Sequence, residues 1–570
     1  MGKHTTRGTT ARPRPPALPL PIRSTVRLRR PVDIWHKAAF SAAGALAVPD
    51  LTLLALGRLD LVLYTSAGAM CALYAHGRPY AARARALALV VLGMVASLGV
   101  ALLCAASVSS PALLVALAAL LAAAHKVLCD ATRIGPPGNL ILTFISSSAF
   151  FVPQRLADVP FHLALALGGG ALAWLICMAP RPFRPHGPER VAVARGLEAS
   201  AALWRAREPA VFPARRAAAG AVGSAWHTLF LVPGDGPERA GLERLLVHAE
   251  SALAAGAPHA AEADRCAALA RALRRGRALP TVVLTPRESE EAAGVAAERH
   301  ARGQPRRPAP DGPRGIRAVR DRLRPGSPLL PVGARVAAGC ALAGWVSLAA
   351  GVGHPYWAVV TAASLYQANT TLSWQRAVQR VLGNVLGLVL FLALLPLIRT
   401  GHLAMVLLAL AFQIGAEALI TRNYWLGSVC VTPMALLLTE FGGGLPAHTL
   451  VHDRMVDTLV GAAVGLACCV LVTNRRAADR TDRALAAVEA ARQAALRLAD
   501  GAGAGWTEEA GRARDRLAHC LVELRDAFEV ASGEWWQRAL PVERVAAAES
   551  EGHRTLALLV RRTAPVAPVP

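Results

Sequence analysis

Three carboxylates interrupt otherwise apolar stretches of this sequence: Asp50 after Pro49, Glu417 one helical turn after Gln413, and Asp457. Ionisable groups in such a setting are costly, so each is a candidate for function. A carboxylate shielded from water can carry a proton, which is what an antiporter requires. Glu417 could instead pair with Arg422. Arginines offer the complementary chemistry. Arg376, Arg380 and Arg422 could form a mouth for carboxylates, because guanidinium meets that group in two-point geometry, although topology alone would also place them there. Tyr356, Trp357, Tyr424 and Trp425 could stack an aromatic ring or act as anchors at a membrane surface. The polar stripe Asn139, Thr143, Ser146, Ser147 and Ser148, opposite Asn423, Ser428 and Thr432, is the expected lining of a path, unless these hydroxyls only bond their own helices. Arg155 with Asp158, and Arg454 with Asp457, stand three apart, so local pairing is expected, with a part in proton or substrate movement as the alternative. No Walker A loop, HExxH or GxSxG sequence is present, and the ten cysteines show no CxxC spacing. Catalytic residues, metal ligands and cofactors are therefore not expected.

These residues need elements to hold them, and hydropathy indicates transmembrane helices. The 570 residues are 54% hydrophobic with a mean hydropathy of +0.37, too apolar for an ordinary soluble protein of two or three domains. Apolar stretches near the length that crosses a bilayer run roughly 38–57, 61–76, 86–107, 111–128, 139–153 and 161–179. After a long polar region, six more run roughly 329–351, 356–370, 381–398, 403–420, 424–440 and 456–473. Alternate loops hold the arginine excess: Arg78, Arg83 and Arg85, then Arg181, Arg184 and Arg190, then Arg376 and Arg380, then Arg475, Arg476 and Arg480. Cytoplasmic loops carry such an excess, so an even number of spans with both termini in the cytoplasm is expected. The +24 net charge rests almost wholly on arginine, since the lysines are Lys3, Lys37 and Lys126. No basic module with a nucleic-acid reading element accompanies it.

The reading is therefore all-α: a polytopic membrane protein of two tandem six-helix halves, 34–180 and 328–474. A basic arm at 1–33 precedes them, a helical region at 181–302 and a Pro/Gly/Arg-rich linker at 303–327 separate them, and a second helical region follows at 475–570. The halves repeat: Gly57 to Asp60 matches Gly353 to Tyr356, Thr132-Arg133 matches Thr421-Arg422, Asn139 matches Asn423, and Arg155-x-x-Asp158 matches Arg454-x-x-Asp457. An even number of spans per half makes these parallel repeats, with a substrate path expected between them. Glycines four apart, Gly383/Gly387 and Gly461/Gly465, should be seams of close helix packing. In the polar regions, Leu242, Leu245, Leu246 and Leu253, then Cys266, Leu269 and Leu273, and later Leu517, Leu521, Leu524 and Phe528 form helical stripes expected to pack between helices, with partner docking as the alternative.

The second half carries a more specific pattern. His354-Pro-Tyr-Trp-Ala-Val-Val-Thr361, Arg376-Ala-x-x-Arg380-x-x-Gly383-x-x-x-Gly387, Arg422-Asn-Tyr424 with Val431-Thr-Pro433, and Asp453-Arg-x-x-Asp457-Thr-x-x-Gly461-x-x-x-Gly465 resemble the fusaric-acid-resistance-like (FUSC-type) integral membrane transporters. Asn384 departs from an expected Thr, and Gln367-Ala-Asn369 from the usual Gln-Pro-Asn. The resemblance covers about 330–473. It implies efflux of aromatic or other organic carboxylic acids across the cell membrane and admits a homodimer; with no Walker A loop in the sequence, transport would draw on an ion gradient or on the substrate gradient itself. A passive anion channel, or a membrane scaffold recruiting a cytosolic partner, is the alternative.

Overall fold

The computed structural model describes residues 25–28, 34–232, 236–254, 259–276, 278–303, 319–320, 323–324, 329–440, 446–471, 477–501, 507–535 and 539–562. Most of the basic arm and of the linker lies outside the described residues. Among the described residues all regular structure is helical, and twelve apolar helical segments form two groups of six. The first group is α1 (Trp35–Ala55), α2 (Leu59–Leu73), α3 (Tyr80–Ser107), α4 (Pro111–Thr132), α5 (Leu140–Ala149) and α6 (Val159–Met178). Five extramembrane helices follow: α7 (Gly187–Arg205), α8 (Val211–Phe230), α9 (Pro237–Ala254), α10 (Ala260–Arg274) and α11 (Pro286–Gly303). The second group is α12 (Leu329–Ala349), α13 (Tyr356–Leu365), α14 (Thr370–Ile398), α15 (His402–Ile420), α16 (Tyr424–Glu440) and α17 (Ala447–Leu471). Last come α18 (Ala477–Gly501), α19 (Glu508–Ser532) and α20 (Val542–Arg562).

Eight of the twelve are long and apolar enough to cross a membrane. The four shorter ones, α2, α5, α13 and the apolar part of α16, are the second and fifth of each group. Ten residues of helix reach only about 15 Å, half of a hydrocarbon core of about 30 Å. The expected twelve full spans thus reduce to eight helices of spanning length, with α5 and α13 ending well before 153 and 370. Three helices instead begin earlier than their apolar runs: α3 at Tyr80, α14 at Thr370 and α17 at Ala447. Their first turns are polar, which is why hydropathy alone places their starts six to eleven residues too late.

The groups pack by an approximate two-fold exchange. Helix α2 lies against α6 as α13 lies against α17; α3 meets α6 as α14 meets α17; and α1 packs on α15 of the other group as α12 packs on α4. Glycine makes the tight seams possible. A Cβ on Gly461 would stand 2.6 Å from the Ala358 carbonyl oxygen and 2.8 Å from Thr361 Cβ, while one on Gly387 would stand 2.7 Å from Thr432 Cβ. Gly68 likewise faces the backbone of Ala166 and Gly170. Without a hydrophobic drive between helices in lipid, such close approach supplies the association.

Outside the apolar helices, α7 to α10 close around Leu197, Val222, Leu245, Leu246 and Leu273, and α18 to α20 around Val488, Leu517, Leu521 and Leu524. The leucine stripes are thus core. The two bundles join where α20 meets α9 and α11, through Val247, Val295 and Val560. This joined body grips the start of α14: Thr371 N–H donates to the Gly533 carbonyl at 3.0 Å, Thr370 Oγ1 to Glu534 Oε2 at 2.6 Å, and Trp535 Nε1 to Thr371 Oγ1 at 3.0 Å.

Two tests follow from packing and charge. Gly461→Val should destabilise the protein by about 1–3 kcal/mol through overpacking, read as a lowered thermal midpoint in micelles, whereas Gly93→Val, with open space around it, should leave the midpoint unchanged. In the extramembrane body His248 is buried, with Nδ1 at 3.0 Å from Glu288 Oε1. Burial pulls its pKa down, but hydrogen bonds to Cys266 and Glu288 overcome this and raise it from 6.5 to about 10. A raised histidine contributes stability that is complete below pH 6.5 and is lost as pH climbs towards 10. Denaturation of wild type across that window should show this loss, and Glu288→Gln should be less stable at pH 7 with a flatter pH dependence.

Candidate functional site

A cavity of about 140 Å³ lies between the two groups of helices, lined from α1, α2, α5, α13, α14, α15, α16 and α17. Its position follows from an imperfection in the two-fold exchange. Helix α5 packs on α13, but the equivalent pair, α2 and α16, makes no comparable contact, and both of those helices contribute to the lining. The wall is mostly apolar, with Met70, Phe144, Ile145, Met434 and Leu438. Four ionisable side chains break it: Asp50, Arg380, Glu417 and Arg454, joined by Gln413, Tyr424 and the hydroxyls of Ser66, Ser364 and Ser428. The lining of α15 extends from Ala409 to Ile420, about 16 Å of helix, so the cavity is elongated along the bundle.

Arg454 dominates the electrostatics. It is 1% exposed, and its Nε, Nη1 and Nη2 are all buried with no hydrogen-bond acceptor among the described residues. The expected pairing with Asp457 is absent. Asp457, 0% exposed, is instead hydrogen-bonded by Ser347 Oγ and does not line the cavity. A through-space chain fixes Arg454: its guanidinium carbon lies 4.8 Å from the Trp357 ring, Trp357 stacks on His354 at 4.9 Å, and His354 Nδ1 stands 2.9 Å from Asp453 Oδ2. Arg380, 6% exposed, donates from Nη1 to the Tyr424 hydroxyl at 3.0 Å and keeps its Nε without a partner. Arg376 covers the other face of the same arrangement, 3.8 Å above the Tyr424 ring. Asp50 is buried with Oδ1 unpartnered. Glu417 forms no ion pair with Arg422, which is exposed and outside the cavity. Burying a guanidinium without an acceptor costs several kcal/mol. Here it points to an anion that the described residues do not supply.

The structure sorts the residues singled out in the sequence. Asp50, Arg380, Glu417 and Ser428 come together in the cavity. Tyr356 and Trp357 are 6% and 1% exposed, so they are core and not surface anchors; they sit behind Arg454 rather than in the path. Tyr424 is likewise buried, though in the lining. Asn423 turns away and donates from Nδ2 to the carbonyls of Thr25 at 2.9 Å and Arg27 at 3.1 Å, so this part of the basic arm is pinned beside Arg380 and Tyr424. Thr432 donates to Asn384 Oδ1 at 2.5 Å in the α14–α16 seam. Ser146 and Ser148 bond only their own helix, at 2.7 and 2.9 Å. Asn139 is buried at the start of α5, also outside the lining. In the first half Arg155 and Asp158 are exposed and unpaired, so the repeated Arg-x-x-Asp pattern is buried only in the second half.

The sequence singles out neither Ser66 nor Ser364, and for Arg454 it gives local pairing with Asp457 as the expectation and a part in proton or substrate movement as the alternative. For Arg454 the signal was present: a charge seven residues into a helix, between Val451 and the Gly461/Gly465 seam, faces whatever that seam faces. Replacing it should separate fold from function. Arg454→Met should raise the thermal midpoint, by about 1 kcal/mol or more of added stability, while abolishing any stabilisation by small carboxylates in the same thermal-unfolding measurement.

Comparison with known proteins agrees with the motifs. Residues 341–468 match the family described as fusaric acid resistance protein-like. The uncharacterized membrane protein YvaC of Bacillus subtilis is 27% identical over 538 residues, covering 88% of this chain and 81% of its own length. The uncharacterized protein slr1298 of Synechocystis is 30% identical over 140 residues, 25% of this chain and 18% of its own length. No solved structure matches at a significant level. The chain is a multi-pass membrane protein, and residues 341–468 of its second group of apolar helices are similar to the fusaric acid resistance protein-like family.

Proposed function

We infer that the protein is a secondary transporter exporting small organic carboxylates, aromatic acids among them, through the cavity between its halves, 34–180 and 328–474. The observation that carries this reading is the acceptor-free, fully buried guanidinium of Arg454 in a cavity shared with Arg380. Two guanidiniums within an apolar wall suit a carboxylate attached to a hydrophobic body. The volume of about 140 Å³ is close to the cavity, on the order of 150 Å³, that admits a benzene ring.

Asp50 and Glu417 are the proton carriers in this reading, since both line the cavity and neither is in an ion pair. Asp457 takes no part, because its carboxylate is turned to Ser347. The polar first turns of α3 and α14, the end of α6 and the extramembrane helices all belong to the arginine-rich side, which is the cytoplasmic side by the distribution of charge. Export then runs from the Arg380–Tyr424 end towards the other face of the cell membrane.

The test is uptake of radiolabelled benzoate and related acids into inverted membrane vesicles, with and without an imposed proton gradient. Gradient-accelerated uptake is expected. Arg380→Gln should raise KM by about 10-fold or more, as loss of a charged hydrogen bond predicts, and Glu417→Gln should remove the acceleration. Uptake indifferent to the gradient and to Asp50→Asn and Glu417→Gln would make the protein a passive channel. No uptake of any acid would leave a membrane scaffold.

A further inference from the structure

In the carboxylate reading Asp50 serves only as a second proton carrier beside Glu417, which gives no reason for its place apart from the arginines in the same lining. A simple monoanion meets Arg454 or Arg380 and adds a negative charge to a space that already contains Asp50 and Glu417. Asp50 is 4% exposed with Oδ1 unpartnered, and no cation of the described residues stands within ion-pair distance of it. Around it the lining from α1 and α2 is Leu46, one turn before it, with Met70, Leu73 and the hydroxyl of Ser66, and carries no cation. The cavity thus presents two guanidiniums and a separate buried carboxylate that do not neutralise one another, although all line one continuous space. Opposite charges this deep in an apolar bundle would gain several kcal/mol by meeting. The helices that carry them prevent it: Asp50 is on α1 and the arginines on α14 and α17, with α2, α13 and α16 also contributing walls.

We propose that the cavity is built for amphoteric substrates, small organic acids that also carry a cationic nitrogen. The carboxylate sits on Arg454 and Arg380, the hydrophobic body lies against the apolar wall, and the nitrogen sits on Asp50. A lining some 16 Å long on α15 leaves room for the two charges to be separated by a ring or a short chain. Glu417, on the same helix as Gln413 and one turn away from it, remains for the proton. The substrate's nitrogen and a proton then compete for Asp50, so an amphoteric acid displaces a proton that a simple acid leaves in place.

This proposal rests on the carboxylate site argued above, and two isosteric probes separate the two claims. Binding of 4-(aminomethyl)benzoate and of 4-ethylbenzoate to the purified full-length protein in nanodiscs is measured at pH 7. The aminomethyl acid is expected to bind at least ~10-fold more tightly, the ratio that about 1.4 kcal/mol gives. Asp50→Asn should bring the ratio of the two affinities down to about 1, and Asp50→Glu should restore part of the preference, which a merely misfolded variant would not do. Equal binding of the two acids by the wild type, or tighter binding of 4-ethylbenzoate, overturns the amphoteric site and leaves the carboxylate site standing. A preference that persists in Asp50→Asn also overturns it, since the nitrogen then lies elsewhere. Failure of both acids to bind rejects both readings.

Discussion

A guanidinium is always charged at physiological pH, so the bundle around Arg454 has to be arranged to tolerate a cation that it cannot neutralise by deprotonation. The surroundings show how. Trp357 offers its ring face at 4.8 Å, a contact in which the aromatic quadrupole partly substitutes for water. His354 stacks behind the indole and is itself oriented by Asp453. None of these removes the need for an anion at the guanidinium nitrogens. The buried HPYW segment and the early start of α17 together lodge this one side chain at the wall of the cavity.

The two-fold exchange explains why such a site can exist. The two groups of helices bury matching seams, as Gly68 on Ala166 and Gly461 on Ala358 do, and a perfect two-fold exchange would leave matching contacts everywhere. Asymmetry enters where α2 and α16 do not meet as α5 and α13 do. The same asymmetry appears in the repeated Arg-x-x-Asp: Arg155 and Asp158 are exposed before α6, whereas Arg454 and Asp457 lie within α17 because that helix begins seven residues before Arg454. One copy has kept the motif as a solvated helix start and the other has drawn it into the core. The family match falls on the second copy.

Much of the bundle was legible in the sequence because apolar length and glycine spacing are direct physical requirements of helices in lipid. Each apolar run corresponds to a helix, and Gly383, Gly387, Gly461 and Gly465 are in seams. The site was less legible for the same reason. A hydropathy window ends where charges begin, yet the charged turns at Arg376–Arg380 and Asp453–Asp457 are helical and buried or half-buried. Tyr356, Trp357 and Tyr424 resemble membrane-surface anchors by type and position, and only three-dimensional packing reveals that all three are buried, with arginines over the faces of Trp357 and Tyr424. Asn423 aligned with Asn139 as a lining residue, but its partner is the backbone of a segment almost 400 residues earlier in the chain, a contact that no local pattern encodes.

The extramembrane body is part of the same mechanical unit. Helix α13 ends at Leu365, just after the cavity hydroxyl of Ser364, and α14 brings Arg380 into the cavity in its third turn. The short connection between them is held by the end of α19. Asn369 donates from Nδ2 to the Glu529 carbonyl at 3.1 Å, Thr371 Oγ1 donates to the Gly533 carbonyl at 2.7 Å, and Asn369 Oδ1 accepts from Leu372 N–H at 2.9 Å to cap α14. Asn369 therefore shapes the helix start and binds the soluble body with one side chain. Several neutral and charge-assisted hydrogen bonds at one joint contribute about 1 kcal/mol each, enough together to make the position of α14 depend on the position of α19. Helix α19 packs with α18 and α20, and α20 reaches the bundle that follows α6. Both extramembrane bundles are thus joined by contacts to the helix that carries Arg380, through Asn369, Thr370 and Thr371 inside the family-matched segment and residues 529–535 outside it.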